Sequence, residues 1–186
     1  MKAYILPSLK LTVVLIIISS VLYPLFIAGI SKLTPGGGNG VTLTYNGKIV
    51  GYENIGQKFS DDKYFWGRPS AVDYNAAGSA GSNKGPSNRD YLATVKARID
   101  TFLIHNPTIK KEQITSELVT ASGSGLDPDI SIQSAKIQVP RIAKTRNKSE
   151  EELYKLIDKM KQGPLLGFLG PEKINVLKLN IALNTL

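Results

Sequence analysis

The chain is organised around residues 11–30, LTVVLIIISSVLYPLFIAGI, a stretch of twenty residues without a charged side chain. As an α-helix this stretch would be about 30 Å long, which matches the hydrocarbon core of a bilayer. Thirteen of its residues are Leu, Ile, Val or Phe, and a backbone in lipid favours a helix because it must satisfy its own hydrogen bonds. We therefore predict a transmembrane helix over residues 11–31, bent near its far end by Pro24.

The alternative interpretation of this stretch is a cleaved secretory signal. Such signals have an apolar region of about 7 to 15 residues, followed by a small-x-small cleavage site. The stretch here is longer, and Gly29-x-Ser31 matches a cleavage site poorly. The sequence thus favours an anchor that stays in the mature chain.

Basic residues on either side of the helix predict its orientation. Lys2 and Lys10 precede the helix, whereas Lys32 alone follows it closely. Basic flanks tend to stay in the cytoplasm. Residues 1–10 are therefore predicted to form a short cytoplasmic tail of a single-pass cell-membrane protein, with everything from residue 32 onward outside.

Composition excludes several classes of function. The chain has 186 residues and no cysteine, which excludes disulfides, thiol catalysis and thiolate metal sites. Its formal net charge of +8 is compatible with nucleic acid, anionic lipid or an acidic protein partner. Because an extracytoplasmic domain would not meet nucleic acid, we predict a membrane and protein partners, and no nucleic acid.

The part of the chain after the helix has room for one domain. Residues 32–40 are rich in glycine and predict a linker, and residues 41–186 are enough for one core but not for two. Two alternating β-rich runs meet at Asn46-Gly47, which is the strongest short signal for a hairpin. With the helices predicted further along, the fold class is α+β: one N-terminal transmembrane helix followed by a single mixed α/β extracytoplasmic domain.

Helical signals occupy most of the second half of this domain. A helix is predicted over residues 89–104. Its apolar face consists of Leu92, Val95, Ile99, Phe102 and Leu103. Residues 131–146 are also helical by pattern, with Pro140 either kinking that helix or opening a second one. Residues 149–152 form a capping box that opens a further helix. Residues 174–180 alternate well enough for a closing strand, and a helix is the open alternative.

Between the hairpin and the first of these helices lies an aromatic-rich segment, residues 57–88, without a helical or strand period. It mixes aromatic residues with Gly, Pro, Ser and Asn. Long ordered loops of this kind are usually functional, and the aromatic content argues against disorder. We expect a surface that contacts a partner. Arg68, close to Trp66, would stack on that ring, bind an acidic group of a partner or support the loop.

The segment Ser122-Gly123-Ser124-Gly125 invites comparison with phosphate-binding loops and nucleophile elbows. A Walker loop needs a lysine after its last glycine, and an elbow needs a glycine two residues before its serine. Neither is present here. A structural or partner-contacting turn is therefore favoured over a ligand cradle, in which backbone N–H groups would bind the ligand.

The remaining candidates for chemistry have ordinary structural interpretations. His105 is the only histidine, and it lies at a helix C-terminus, where carbonyl groups favour a cation. One histidine without cysteine leaves only carboxylates as further ligands, which excludes a typical zinc site. The acidic pairs Asp61-Asp62 and Asp127/Asp129 are interpreted as turn-forming residues. We predict no catalytic residue.

Several phrases of this sequence, taken together and in order, resemble one family. After the N-terminal span they are Ile55-Gly56-Gln57-Lys58-Phe59, Tyr64-Phe65-Trp66-Gly67-Arg68-Pro69-Ser70, Gly78-Ser79-Ala80-Gly81-Ser82-Asn83, Ser122-Gly123-Ser124-Gly125-Leu126-Asp127-Pro128, Gln138-Val139-Pro140-Arg141-Ile142-Ala143 and Asn175-Val176-Leu177-Lys178-Leu179-Asn180. Over nearly its whole length the chain resembles the C subunit of the Kdp potassium-transporting P-type ATPase. Residues 33–50 and 105–116 contain none of these phrases, so the resemblance implies no role for residues in these two segments.

The resemblance implies a membrane complex that pumps K⁺ inward using ATP. Its other members would be a channel-like A subunit with the ion path, a P-type ATPase B subunit that hydrolyses ATP, and a small F subunit. The chain itself would be a non-catalytic subunit that supports assembly and, as a catalytic chaperone, raises the ATP affinity of the B subunit. It would bind no cofactor of its own, and ATP only through the complex. Because ATP is cytoplasmic, an outer domain would act on it through the transmembrane helix.

Two sets of candidate site residues and two alternative functions follow from the sequence. The predicted partner-contacting residues are Gln57, Tyr64, Trp66, Arg68, Pro69, Ser70, Ser82 and Asn83. A separate hypothesis places a nucleotide at Ser122, Gly123, Ser124 and Gly125. The rival functions are a membrane-tethered extracytoplasmic hydrolase using Ser124 and His105, and a tethered sensor, which the short N-terminal tail disfavours.

Overall fold

The structure is a computed structural model that describes residues 2–186, with side chains described from Tyr4 onward. It contains two compact units, Met1–Thr42 and Leu43–Leu186. The first unit is dominated by one long helical segment, and the second is a mixed α/β unit with two small sheets. The predicted combination of an N-terminal apolar helix and an α+β domain is confirmed.

The N-terminal unit is built from α1 (Lys2–Ile17), a π-helical segment (Ile18–Leu22) and α2 (Tyr23–Ser31). The stretch Tyr4–Ser31 has 28 residues and a mean hydropathy of 2.6, which is long and apolar enough to cross a membrane. None of its residues is buried within the described chain. The helix begins at Lys2, so residues 2–10, placed before the span by sequence, are helical as well.

The π-helical segment lies directly before Pro24, the residue predicted to disturb this helix. A proline ring clashes with the carbonyl four residues earlier, here that of Ser20, and has no N–H to bond to it. The π-helical turn includes Ser20, and a wider turn is a known way to relieve such a clash. The Ser19 hydroxyl donates a hydrogen bond to the Leu15 carbonyl at 2.6 Å, so this hydroxyl is paired within the helix.

After the helix, the glycine-rich residues 32–40 form successive turns. The second unit then opens with β1 (Thr42–Tyr45) and β2 (Lys48–Tyr52), which pair in a two-stranded sheet. Asn46 and Gly47 connect them with φ values of 51° and 73°. Both turn residues of a type I′ hairpin need positive φ, so the predicted hairpin is confirmed.

The helices of the second unit follow the predicted order. They are α3 (Arg89–His105), α4 (Ile132–Lys136), α5 (Val139–Arg146), α6 (Glu150–Met160) and α7 (Val176–Leu183). Short 3₁₀ turns span Lys111–Gln113 and Ser116–Leu118, and β3 (Asp129–Ile130) pairs antiparallel with β4 (Ile174–Asn175).

Two of the local predictions for these helices are confirmed in detail. Pro140 lies in the first turn of α5, where a proline is tolerated because no N–H is needed there, so it opens a second helix. The Ser149 side chain accepts a hydrogen bond from the Glu152 N–H while the Glu152 carboxylate accepts one from the Ser149 N–H. This is the predicted capping box of α6.

The closing strand predicted over residues 174–180 is wrong beyond its first two residues. Only β4 is extended, and α7 begins at Val176. The Asn175 side chain caps this helix by accepting a hydrogen bond from the Lys178 N–H at 3.0 Å. The buried residues of α7 are Val176, Leu177, Leu179, Asn180 and Leu183. Their spacing is helical once Leu183 is included, because three and four residues separate neighbours on one face.

The core lies among α5, α6 and α7 and takes one residue from the aromatic-rich segment. Ile142, Leu153, Ile157 and Leu179 are fully buried there, and so is Phe65. By contrast α3, predicted to bury five residues, buries only Phe102. One face of α3 therefore remains accessible beside the aromatic-rich segment.

Candidate functional site

The structure brings most of the predicted partner-contacting residues together in residues 57–74, here called the aromatic loop. This loop has no helix or strand, yet the side chains of Gln138 and Asn180 hold its backbone. The Gln138 amide accepts from the Trp66 N–H at 2.8 Å and donates to the Trp66 carbonyl at 3.1 Å. The Asn180 amide does the same for Phe65, at 2.9 and 3.0 Å. Each side-chain amide thus makes the two backbone hydrogen bonds that a neighbouring β-strand would otherwise make.

Two arginines bind the preceding part of the aromatic loop. Arg141 donates to the carbonyls of Asp62 and Tyr64, at 3.2 and 2.8 Å, and its guanidinium lies 4.1 Å from the centre of the Trp66 ring. Arg146 donates to the Lys63 carbonyl at 2.7 Å. Burial lowers the pKa of Arg141 to about 10, against the opposing effect of Asp62. The buried guanidinium stabilises the loop through hydrogen bonds and ring stacking.

Sequence reasoning missed Gln138, Arg141 and Asn180 as loop-holding residues. All three are nearly completely buried, although polar residues of these types are mostly exposed. Gln138 and Arg141 lie three residues apart beside the apolar Val139 and Ile142, so they share the buried side of α5 with the core. The signal in the sequence was the position of Gln138 and Arg141 among apolar residues of a predicted helix, because a polar side chain that is buried there needs a hydrogen-bond partner.

Of the roles considered for Arg68, the structure shows support of the loop, and the predicted contact with a partner stays a prediction. Its guanidinium forms an ion pair with Asp127 at 3.0 Å, while the ring of Trp66 is stacked by Arg141 instead. Arg68 therefore supports the loop from within the same chain. Asp127 also accepts a hydrogen bond from the Asp129 N–H at 3.0 Å, which confirms the turn-forming role predicted for it.

In the other acidic pair only Asp61 forms a turn, whereas the Asp62 carboxylate lies 2.7 Å from His105 Nδ1. The Asp61 carboxylate accepts a hydrogen bond from the Lys63 N–H at 3.1 Å. This bond and the Lys63 ammonium lower the pKa of Asp61, because hydrogen bonding to the charged form favours it.

The remaining predicted residues of the aromatic loop have defined environments. Gln57 donates to the Val50 carbonyl of the hairpin at 2.9 Å, and Tyr64 packs against Phe59 with ring centres 5.7 Å apart. The Ser70 hydroxyl accepts from the N–H groups of Val72 and Tyr74. These contacts stabilise the loop and its connection to the hairpin.

A groove of about 510 Å³ lies between the aromatic loop and α3. Three of the predicted residues line it: Trp66, Pro69 and Ser70. The α3 side contributes exposed small residues and a basic one, among them Thr94, Ala97, Arg98 and Thr101. An aromatic floor with small and basic walls suits a protein segment or a small apolar ligand that carries a polar group.

Ser82 and Asn83 do not belong to this groove. They follow Gly81, whose place against the Ser122–Gly125 turn leaves no room for a side chain: a Cβ there would lie 2.9 Å from the Gly123 carbonyl oxygen. Ser82 is half-buried, and Asn83 is exposed with a φ of 51°. The predicted residues thus form two neighbourhoods, the aromatic loop and this second loop.

The Ser122–Gly125 turn is held by its own hydrogen bonds. The Ser122 N–H donates to the Pro69 carbonyl and the Gly125 N–H to the Ser122 carbonyl, at 3.2 and 3.3 Å. The Leu126 N–H donates to the Ser124 hydroxyl at 3.1 Å. These N–H groups are already occupied, which favours the predicted structural turn, and the nucleotide hypothesis for residues 122–125 stays a prediction.

Ser124 and His105, the two residues of the hydrolase alternative, form no hydrogen bond with each other in the described structure. His105 Nδ1 lies 2.7 Å from an Asp62 carboxylate oxygen, and its ring packs edge-on against Trp66. The Ser124 hydroxyl instead accepts from Leu126, and Ser124 does not line the groove in which His105 lies. A serine nucleophile needs its base within hydrogen-bond reach, so the geometry gives the hydrolase alternative no support.

These features define a class: a small protein with one candidate membrane-spanning helix near its N-terminus and a separate α+β unit that presents a fixed aromatic loop. Comparison with known families makes the assignment specific. The family model described as K⁺-transporting ATPase, c chain (KdpC), matches residues 5–185. The chain belongs to the KdpC family, the C subunits of potassium-transporting ATPases, which confirms the resemblance seen in the sequence.

Individual relatives cover the chain almost completely. The potassium-transporting ATPase KdpC subunit of Flavobacterium johnsoniae is 58% identical over 178 residues, which is 96% of each chain. That of Bacteroides fragilis is 52% identical over 184 residues, covering 97% of this chain and 96% of the relative. That of Caldanaerobacter subterraneus is 44% identical and covers 95% and 92%.

Proposed function

We propose that the chain is a non-catalytic accessory subunit of a high-affinity, ATP-driven potassium uptake pump, and that it stabilises the assembly of the ion-conducting A subunit with the ATP-hydrolysing B subunit, beside a small F subunit. The single observation that supports this is the unburied apolar helix Tyr4–Ser31 in a chain of the KdpC family. A helix of this kind requires lipid and partner helices to cover its side chains. In this function the helix lies in the lipid bilayer and packs against helices of the partner subunits.

In the proposed topology the N-terminus is cytoplasmic and the unit Leu43–Leu186 lies outside, next to the ion-conducting subunit. The excess of lysine before the helix supports this orientation. The aromatic loop and its groove form the proposed contact surface, with Ser82 and Asn83 as a second contact. A loop fixed by Gln138, Arg141 and Asn180 loses little freedom on binding, which favours affinity.

The proposed effect on ATP is indirect. The nucleotide belongs to the cytoplasmic B subunit, and the outer unit would favour one of two conformations of that subunit through the helix. Direct nucleotide contact at Ser122–Gly125 is the alternative route. It would require two conditions: access of ATP to the outer unit, and binding by the N–H groups of the turn that its own hydrogen bonds leave free.

The assembly role predicts a specific effect of one surface substitution. Ala97 and Ala93 are both exposed on α3, but only Ala97 lines the groove. We expect Ala97→Glu to lower co-purification of the A and B subunits with the tagged chain about tenfold, the equivalent of about 1.4 kcal/mol, because a carboxylate would enter the contact surface. Affinity purification from detergent-solubilised membranes measures this.

Ala93→Glu is the matched control and should leave co-purification unchanged. Cells without the chain should yield no stable A–B complex, and the KM for ATP of any residual ATPase should rise. An intact complex of full activity in the absence of the chain would contradict the assembly role. Unchanged binding by Ala97→Glu alone would exclude only the groove as the contact surface.

The proposed topology can be tested because the chain has no cysteine. We expect a membrane-impermeant maleimide to label Lys84→Cys in intact cells, since Lys84 is exposed in the outer unit. Ala3→Cys, which keeps both lysines that favour this orientation, should react only after the cells are opened. The reverse labelling pattern would contradict the orientation.

A further inference from the structure

A short arm projects from the α+β unit between α6 and β4. Residues 162–173, here called the arm, form two antiparallel bridges, Gln162 with Lys173 and Leu165 with Leu169. The first bridge has hydrogen bonds of 2.8 and 3.0 Å, and in the second each leucine N–H donates to the other's carbonyl at 2.9 Å. The arm is therefore a defined hairpin-like structure, although sequence analysis assigned nothing to it.

The base of the arm is fixed in the core. Lys173 is followed directly by Ile174, which is fully buried and pairs with Ile130 of β3. Residues 165–169, here called the tip, are all exposed. The arm thus joins a buried base to an exposed tip.

The tip is unusually apolar for an exposed surface. Leu165, Leu166, Phe168 and Leu169 have 69, 76, 74 and 49% of their surface exposed, and no residue from 162 to 171 carries a charge. Leu166 also has a φ of +56°. A bulky residue rarely adopts this conformation, and such outliers concentrate at functional positions. Four clustered apolar side chains, one of them on a disfavoured backbone, indicate a contact outside this chain.

The sequence around the tip favours a lipid surface as that contact. Lys159 and Lys161 precede the arm, where the Lys161 ammonium lies 3.9 Å from the Asp158 carboxylate. Lys173 closes the arm, and Glu172 is the only acidic residue within it. Apolar side chains flanked by lysines suit an interface where acyl chains lie below anionic headgroups. Lys173 also forms an ion pair with Asp129 at 2.6 Å, so its ammonium group is held at the base of the arm.

The length of the connecting segment permits this contact. Residues 32–41 join the apolar helix to the hairpin, and ten residues span at most about 35 Å when extended. A unit of this size has a radius of gyration of about 15 Å. If the helix spans the bilayer, as the proposed function requires, the arm can therefore reach the surface of that same bilayer.

We propose that the tip of the arm inserts into the lipid interface and gives the α+β unit a second attachment to the membrane. Its apolar side chains enter the acyl-chain boundary, and the ammonium groups of Lys159 and Lys161, which precede the arm, contact phosphate headgroups. Two attachments limit the rotation of the unit about its linker. The groove beside α3 then faces a restricted set of directions, which favours repeated contact with a membrane-embedded partner.

Fluorescence quenching by lipids tests this proposal on the full chain. Leu166→Cys places the only thiol at the tip, and Ser87→Cys is the matched control in an exposed loop. Both are labelled with the fluorophore NBD and reconstituted into vesicles of phosphatidylethanolamine and phosphatidylglycerol, with or without acyl-chain spin labels. Either vesicle orientation is informative because each exposes the unit to a leaflet.

We expect the tip label to emit at shorter wavelength and to be quenched at least about twofold by the spin-labelled lipid, and the control label to be unaffected. Adding Phe168→Asp should return the tip label to the control value. Equal, weak quenching at both positions would overturn the proposal. So would a tip label shielded only in the purified complex and not by lipid, since a partner protein would then cover the tip. Co-purification of the subunits is a separate measurement, so this result leaves the proposed assembly role unaffected.

Discussion

Gln138→Leu is expected to destabilise the unit Leu43–Leu186 by about 3 to 5 kcal/mol, because each buried backbone group left without a partner costs about 1 to 3 kcal/mol. Leucine has a similar size but no hydrogen-bonding group. It would leave the N–H and the carbonyl of Trp66 without the partners they now have at 2.8 and 3.1 Å. It would also remove the amide oxygen that accepts from Arg141 at 2.8 Å.

The measurement is direct because Trp66 is the only tryptophan. Urea unfolding of the full chain in detergent, followed by tryptophan fluorescence, reports on the aromatic loop itself. The matched control is Gln133→Leu, the same substitution at an exposed position of α4, which should change the free energy of unfolding by less than about 0.5 kcal/mol. Equal effects of the two substitutions would show that the amide of Gln138 does not hold the loop.

This dependence on distant residues explains which parts of the fold the sequence predicts. The hairpin at Asn46-Gly47 and the capping box at Ser149 follow from local chemistry, since a turn or a cap is specified by residues within four positions. The aromatic loop is different. Trp66 is separated from Gln138 by 72 positions, so no local pattern shows how its backbone is satisfied.

Only part of the candidate site was predicted, because its two walls come from segments that are separated in the sequence. Clustered aromatic residues with Gly and Pro marked the aromatic loop, and Trp66, Pro69 and Ser70 do line the groove. The opposite wall was not predicted, because Thr94, Ala97, Arg98 and Thr101 lie outside the apolar face of α3 on which the helix prediction rested. The closing strand was mistaken because a window ending at residue 180 omits Leu183, the residue that shows the helical spacing of α7.

Gly56→Ala is the second substitution with a large expected effect, a destabilisation of about 2 to 3 kcal/mol from overpacking. Gly56 is buried, and its N–H donates to the Leu126 carbonyl at 2.7 Å. A Cβ at this position would lie 2.5 Å from the Asp127 carbonyl oxygen and 2.9 Å from its carbon. These are backbone atoms, so a side-chain rotation cannot relieve the clash, and the two segments must separate.

The separation should also reach the site, because Asp127 carries the ion pair that holds Arg68 at 3.0 Å. We therefore expect Gly56→Ala to lower both the midpoint of urea unfolding and the co-purification of partner subunits. Gly85→Ala is the matched control: its Cβ would meet nothing within 4 Å, and alanine there reduces the freedom of the unfolded chain, so stability should stay equal or rise slightly. If Gly56→Ala were as stable as Gly85→Ala, the close contact between residues 56 and 127 would not exist in solution, and the ion pair of Arg68 would lose its structural support.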